Sequence, residues 1–377
     1  MIVKIRMCAS VAAAAALLVV ACGGKDQSPT TPTPAAATLS APALDSPSAN
    51  EQLDTLRPTL TVRNATADQT GTRTYEFQIS DSAGFTNATT SNVTGFAAAI
   101  GKAGVPEGAN GKTSWTPDAE LQPTTVFYWR ARAVQGTSTG PWSEMGKFKS
   151  RLVGFLRGGE LYDPLIHGET VGQVVGSGSF IPGKGLQLND GRSYVKYLLP
   201  QTITSGEFSM DVEGLRANGP GDKAKVFGMQ EGQGDFITNK YRIDIQYRGV
   251  SGVPPNAITF RALYGSASDL GVRYEPDTAT RFASVVPLDP GTVYNWKATW
   301  GSEFRVTVRA GGLDGSIVYN VGMPTPRGTY APNPHYAYLG APVGRSGGEA
   351  ASIPGTIYRN VWLGNRPRPD SLGSALQ

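Results

Sequence analysis

The sequence predicts an all-β protein built as two sandwiches in series. Three observations predict it: apolar and polar residues alternate along short segments, glycine (47) and proline (27) recur between those segments, and no segment sustains a helical period. Only 17% of residues are charged, which is the balance of short strands joined by tight turns and not of long solvated helices. A single core stops growing near roughly 250 to 300 residues. A chain of 377 residues therefore divides into two cores.

The first residues read as an export signal. Lys4 and Arg6 give a positive start, and residues 9–20 (ASVAAAAALLVV) form an apolar run long enough for a secretory signal but too short to span a bilayer. The run closes on Val19-Val20-Ala21-Cys22, which resembles the lipobox of bacterial lipoproteins. That resemblance implies a signal peptide over residues 1–21, cleavage before Cys22, diacylglycerol with palmitate-type chains on its thiol and acylation of the new amine. Two or three acyl chains hold a protein to a membrane stably, where one is marginal. Position 23 is Gly and not the Asp that resembles an inner-membrane retention signal, so a cell-envelope location with the outer membrane favoured is expected. Residues 22–50 are rich in Pro, Thr, Ser and Ala with almost nothing large and apolar to bury, and predict a disordered tether.

Composition narrows the chemistry. Both cysteines, Cys8 and Cys22, precede the folded part, so disulfides, zinc thiolates and cysteine nucleophiles are excluded there. His167 and His335 are the only histidines, which argues against a histidine triad or a multi-histidine metal site. Without Lys4 and Arg6 the formal charge falls from +4 to +2, and Lys and Arg form no cluster beside aromatics, so no nucleic-acid partner is expected.

Residues 51–150 form the first predicted sandwich. Leu60 and Val62, then Tyr75, Phe77 and Ile79, then Phe127, Trp129, Ala131 and Ala133 alternate with polar residues between turn-forming stretches. The order of Thr113-Ser114-Trp115-Thr116-Pro117, Leu121-x-Pro123-x-Thr125, Phe127 to Ala133 and Gly140-Pro141-Trp142-Ser143 resembles bacterial fibronectin type III domains. That resemblance implies a spacer or protein-binding platform. It departs at the tyrosine corner, where Phe127 has no hydroxyl to bond the backbone. Trp115, Trp129 and Trp142 are read as packing residues, because aromatics dominate core burial.

Residues 155–365 form the second, with residues 366–377 as a C-terminal tail. Tyr241 to Arg248 alternates without error: Tyr241, Ile243, Ile245 and Tyr247 share one face, and Arg242, Asp244, Gln246 and Arg248 share the other, which is expected to be wet. Phe208, Met210 and Val212 alternate with Glu207, Ser209, Asp211 and Glu213 in the same way, as do Phe304, Val306 and Val308 with Arg305, Thr307 and Arg309. Tyr294, Trp296 and Trp300 share a face and predict buried packing. The succession of Leu161-Tyr162-Asp163-Pro164, GEFSMDVEGL from Gly206, Tyr294 to Trp300, Phe304 to Ala310 and a closing Ile353 to Gly364 resembles the concanavalin A-like (laminin G-like) jelly roll. The resemblance implies carbohydrate binding most often, with glycoside hydrolases and polysaccharide lyases sharing the architecture, and fold alone does not choose among them.

Two enzymatic patterns come near these residues without matching them. Retaining glycosidases place two carboxyl groups about 5 to 5.5 Å apart. Laminarinase-like hydrolases carry Glu-x-Asp-x-Glu; Asp211 and Glu213 match its last two positions, but Ser209 stands where the nucleophile belongs, and Glu207 is too far along the strand to replace it. Alginate-lyase-like jelly rolls carry Gln-x-His, whereas Gln246 is followed by Tyr247 and Arg248. Arg242, Gln246 and Arg248 would nonetheless suit an acidic sugar.

No catalytic residues and no metal ligands are therefore assigned, and no cofactor is expected. Structural calcium, which the resemblance allows, would have to use the turns Asn189-Asp190-Gly191 or Asp314-Gly315. The candidate ligand-binding residues are Arg242, Asp244, Gln246 and Arg248 on the strand, with His335, Tyr336 and Tyr338 in a Gly/Pro-rich stretch read as a loop. The expected function is a membrane-anchored surface lipoprotein, not an enzyme, whose jelly roll binds a polysaccharide or a surface protein. A surface polysaccharide-degrading enzyme and a structural envelope protein are the alternatives.

Overall fold

The computed structural model describes residues 36–85, 96–233, 241–264, 272–274, 280, 283–325, 336–344, 349–370 and 372. Cys22 and His335 lie outside the described residues. Strands are the dominant regular structure of the described residues, as the alternating pattern predicts, and no helix among them is long and apolar enough to cross a membrane.

The first sandwich contains β1 (Ala43–Ser46), β2 (Glu51–Gln52), β3 (Leu60–Arg63), β4 (Arg73–Ser80), β5 (Ala99–Pro106), β6 (Lys112–Trp115), β7 (Val126–Gln135), β8 (Ser138–Thr139) and β9 (Gly146–Lys149). Strands β1, β3 and β6 make one sheet; the other runs β2-β9-β7-β4-β5, with β8 on β7. This is the fibronectin type III-like arrangement. The alternating residues Leu60, Val62, Tyr75, Phe77, Ile79, Phe127, Trp129, Ala131 and Ala133 fill its core. Phe127 stacks on Phe148 with centroids 5.8 Å apart. Gly146 is required where β9 crosses Trp129, because a Cβ there would fall 2.2 Å from the indole nitrogen. The tryptophans behave as packing residues: Trp115 and Trp129 are buried, while Trp142 is half-covered by the Arg130 and Arg132 guanidiniums at 4.3 and 4.4 Å from its ring.

The second sandwich contains β10 (Phe155–Arg157), β11 (Glu160–Asp163), β12 (Gln173–Val175), β13 (Gly178–Ile181), β14 (Gly185–Leu188), β15 (Tyr194–Leu198), β16 (Gly206–Glu213), β17 (Lys223–Gln230) and β18 (Tyr241–Arg248). It continues through β19 (Ile258–Tyr264), β20 (Val272–Tyr274), β21 (Tyr294–Trp300), β22 (Glu303–Ala310), β23 (Ser316–Pro324), β24 (Tyr336–Leu339), β25 (Glu349–Ala350) and β26 (Thr356–Gly364). One sheet runs β10-β11-β26-β16-β21-β22-β23, with β14 also on β26 and β13 on β14. The other runs β12-β15-β24-β17-β18-β19-β20, with β25 on β17. The last strand pairs with the first, Glu160 opposite Gly364 and Asp163 opposite Val361. The two sheets close over one apolar core as a jelly roll, with Phe208 stacked on Phe227 and Phe260 edge-on to Phe304. Tyr294, Trp296 and Trp300 lie in that core as predicted.

A third, smaller cluster joins the sandwiches. Phe96 and Leu56 of the first meet Phe155, Tyr162 and Trp362 of the second, together with Leu372 of the C-terminal segment. Arg157 lies 3.9 Å over the Phe96 ring and 3.3 Å from Glu120, and Thr124 Oγ1 donates to the Val153 carbonyl at 2.9 Å. Beyond β26 the chain is tied down: the Arg366 guanidinium pairs with the buried Glu160 carboxylate, the Arg368 backbone N–H donates to Glu207 at 3.1 Å, and Leu372 bridges to Thr125.

Candidate functional site

The predicted ligand residues of β18 are brought together with groups from five other strands on the outer face of the second sheet. Antiparallel register sets residues side by side across strands. Tyr336, Gln230 and Arg242 make one row over β24, β17 and β18. The next row runs Lys196, Tyr338, Gly228, Asp244 and Arg261 over β15, β24, β17, β18 and β19. Lys225 stands opposite Gln246, and Lys223 opposite both Arg248 and Glu349.

The expectation that this face is wet is wrong. Arg242, Asp244 and Gln246 are only 4%, 1% and 1% exposed, and Arg248 is half-buried. The physical reason is mutual neutralisation, since buried charge persists only when paired and hydrogen-bonded. Asp244 Oδ1 lies 3.5 Å from the Lys225 ammonium and accepts a bond from the Gln246 amide, while its Oδ2 lies 3.4 Å from Arg261 Nε and 3.7 Å from Arg242 Nε. Glu349 is 2.7 Å from Lys223 and 3.5 Å from Lys225, and Asp222 takes Arg248 at 2.8 Å. Burial alone would raise the Asp244 carboxyl, but Lys225, Arg261 and Arg242 together hold it down, at about 2. Burial pushes the Lys225 ammonium down to about 8, against the opposing pull of Asp244 and Glu349.

A bulge in β17 accounts for much of this. The register with β18 slips between Lys225 and Phe227, so Lys225 and Val226 are both fully buried, one among charges and the other in the core. Lys225, Gln230, Arg261 and Glu349 also belong to this face, although little in the sequence marks them. The alternation of Lys223 and Lys225 in β17 was the available signal for the first, but only sheet order places the others beside Asp244.

Tyr336 and Tyr338 also depart from expectation, because they stand in a strand and not a loop. Strand β24 pairs with β15 on one side and β17 on the other. Tyr338 is fully buried, its hydroxyl donates to the Gly232 carbonyl at 3.2 Å, and its ring meets Tyr194 edge-on at 5.7 Å and Tyr336 at 6.3 Å. Burial raises the Tyr338 hydroxyl well above its ordinary range. The turn-rich flanks hid a four-residue strand, too short to announce itself by period.

Three of the four polar residues of β16, Glu207, Ser209 and Asp211, are likewise buried, again against expectation. Asp211 accepts amide bonds from Asn295 and Asn360, both at 2.9 Å, and Asn295 also donates to Ser209 Oγ at 3.3 Å. Asn360 sits at φ 53°, a conformation asparagine tolerates better than most residues, where the pairing of β16 with β26 slips. Glu207 meets Lys297 at 2.5 Å, and Glu213 meets Lys184 at 2.8 Å and Arg359 at 3.1 Å. At the turn after β14, Asp190 Oδ1 accepts from the Arg192 N–H at 2.8 Å and Ser193 Oγ at 2.9 Å, as an ordinary aspartate turn does. Among the described residues no group of three or more His, Cys, Asp or Glu side chains is placed to hold a metal ion.

No family model matches the chain, and no curated protein matches it. Solved structures do show likeness. One, described as showing that cell entry of botulinum neurotoxin type C depends on interaction with two ganglioside molecules, has a TM-score of 0.36 at 9% identity over 60% of this chain and 51% of that one. The binding domain of botulinum neurotoxin DC in complex with SialylT has a TM-score of 0.31 at 12% identity over 58% of this chain and 48% of that one. The FN1-FN3 domains of chicken CNTN1 have a TM-score of 0.20 at 9% identity over 76% of this chain and 68% of that one. The chain thus spans about half the length of the two toxin-derived chains. Likeness of this degree is too coarse to assign a site or a ligand.

Proposed function

We propose that the protein is a lipid-anchored envelope protein, attached through Cys22, whose jelly roll binds a glycan or another surface macromolecule without cleaving it. The tether and the fibronectin-like sandwich hold that binding domain away from the membrane. The observation that carries the reading is the outer face of the second sheet. Three tyrosines, Tyr194, Tyr336 and Tyr338, cluster beside Gln230 and a set of charges in which, among the described residues, Lys223, Lys225, Arg242, Arg248 and Arg261 outnumber Asp222, Asp244 and Glu349. Aromatic faces with a few convergent polar groups suit a saccharide, and the excess of cations favours an acidic one. The half-buried Tyr194, Lys196, Lys223, Arg248 and Arg261 form the part of the face that a ligand meets first.

A glycan array probed with the full-length detergent-extracted protein, followed by product analysis, tests the reading. Saturable binding that weakens in Arg248→Ala and leaves the glycan intact supports a glycan ligand, and absence of binding to any acidic or neutral glycan refutes it. Mass spectrometry of the native protein tests the anchor, with an acylated Cys22 at the mature terminus expected.

A second reading, cleavage of an acidic polysaccharide on the same face, draws on Lys225. A buried lysine pushed down to about 8 amid two carboxylates has the perturbation found at functional sites. New reducing or unsaturated ends in the product analysis would favour it.

A further inference from the structure

One end of the jelly roll carries a cavity of about 290 Å³ that takes no part in the face described above, except through Glu349. Its walls come from Ala224 and Tyr247 at the ends of β17 and β18, from Ala350, and from Ile353 and Pro354 before β26. Two glycine-rich turns, 219–221 and 249–252, border it and are locked together by backbone bonds: the Gly249 N–H donates to the Asp222 carbonyl at 2.8 Å and the Val250 N–H to the Gly219 carbonyl at 2.7 Å. Gly249 is needed for this approach, because a Cβ there would lie 2.5 Å from the Gly219 and Gly221 carbonyl oxygens. With backbone for one wall, no side chain fills the space.

The chemistry of the lining is apolar. The Tyr247 hydroxyl already donates to the Val286 carbonyl at 2.9 Å and accepts from the Leu288 N–H at 3.2 Å, and Ser352 Oγ donates to the Asp190 carbonyl at 3.1 Å. The Glu349 carboxylate is held by Lys223 and Lys225. Arg216 is different: it lines the cavity, is exposed, and among the described residues has no carboxylate within ion-pair distance. The bordering turn also presents Val250 and Val253 to solvent, 60% and 69% exposed. An apolar hollow beside an uncommitted guanidinium selects for a molecule with the complementary two ends.

We propose that this cavity is a binding site for a small amphipathic carboxylate, an apolar body of about a dozen non-hydrogen atoms in all, a size set by a volume at the low end for ligand pockets. The apolar part packs between Ala224, Tyr247, Ile353 and Pro354, and the carboxylate pairs with Arg216.

Isothermal titration of the full-length protein with decanoate and with 1-decanol tests this. Decanoate binds saturably with 1:1 stoichiometry, and 1-decanol binds about tenfold more weakly, the factor expected for one charge-assisted contact of about 1.4 kcal/mol. Arg216→Gln lowers decanoate affinity by the same factor and leaves 1-decanol unchanged; Arg216 is exposed, so this variant keeps its fold. Ala350→Phe, with native circular dichroism as its control, abolishes binding of both. The proposal is overturned if decanoate shows no saturable binding, if 1-decanol binds as tightly as decanoate, or if Arg216→Gln weakens both ligands equally.

Discussion

The two sheets of the jelly roll turn similar alternating sequences into outer faces of different character. On the first sheet the acidic groups are held separately: Asp211 by two asparagine amides, Glu207 by Lys297 and a backbone N–H, and Glu160 by Arg366. On the second, one carboxylate, Asp244, serves three cations at once. A face of separate local bonds can lose one at modest cost. A face built around a shared charge cannot, because its loss withdraws a carboxylate from three cations at once.

The sharpest way to break this contrast is Asp244→Asn. It should cost about 3 to 5 kcal/mol in urea denaturation, the range for stripping a partner from buried charge. The same carboxylate makes stability fall in acid. Its native pKa, about 2, lies below its unfolded value, so the contribution is present above about pH 4 and is lost as pH falls through about 2. A cost below about 1 kcal/mol for Asp244→Asn would mean that the cations do not depend on it.

The opposite pH dependence is expected at the edge of the first sheet. Burial raises the Asp163 carboxyl to about 6, although Thr170, Tyr197 and the Val171 N–H donate to it. The native state therefore holds this proton more tightly than the unfolded chain, so stability is highest below about pH 4 and declines as pH rises to about 6. By linkage the change is at most about 3 kcal/mol. Melting curves of Asp163→Asn should lack this slope between pH 4 and 6.

Smaller effects come from the C-terminal segment and from the amide-held carboxylate. Leu372→Ala should remove about 2 kcal/mol by opening the cluster between the sandwiches, and limited proteolysis should then cut near residues 150–154 faster than in the parent. Asp211→Asn should cost about 1 to 2 kcal/mol, since its single amide oxygen can still accept from one of Asn295 and Asn360 while the other loses its acceptor. If Asp211→Asn proved as damaging as Asp244→Asn, the two faces would not differ as described.

Much of the fold was legible because a strand's period of two depends only on neighbouring residues. Ile243, Ile245 and Tyr247, Phe208, Met210 and Val212, and Phe304, Val306 and Val308 all lie in the core that their alternation implies. The site was legible only by half. Alternation correctly grouped Arg242, Asp244, Gln246 and Arg248 on one face, but it equated the non-core face with water, and that step failed for three of the four. Tyr336 and Tyr338 stand out by their chemistry but not by their element, because four residues between turn-rich flanks carry too little pattern to mark a strand.

By itself the sequence determined the all-β class, which side chains enter each core, and the absence of thiols from the folded part. Each of these follows from local spacing or from composition. Tertiary structure decided which polar faces are dry, that Lys225, Arg261 and Glu349 join Asp244, and that residues beyond Gly364 stitch one sandwich to the other. Those outcomes depend on strand order and register between segments far apart in the chain, and the free energy of a buried charge depends on which partners that order brings within a few ångströms.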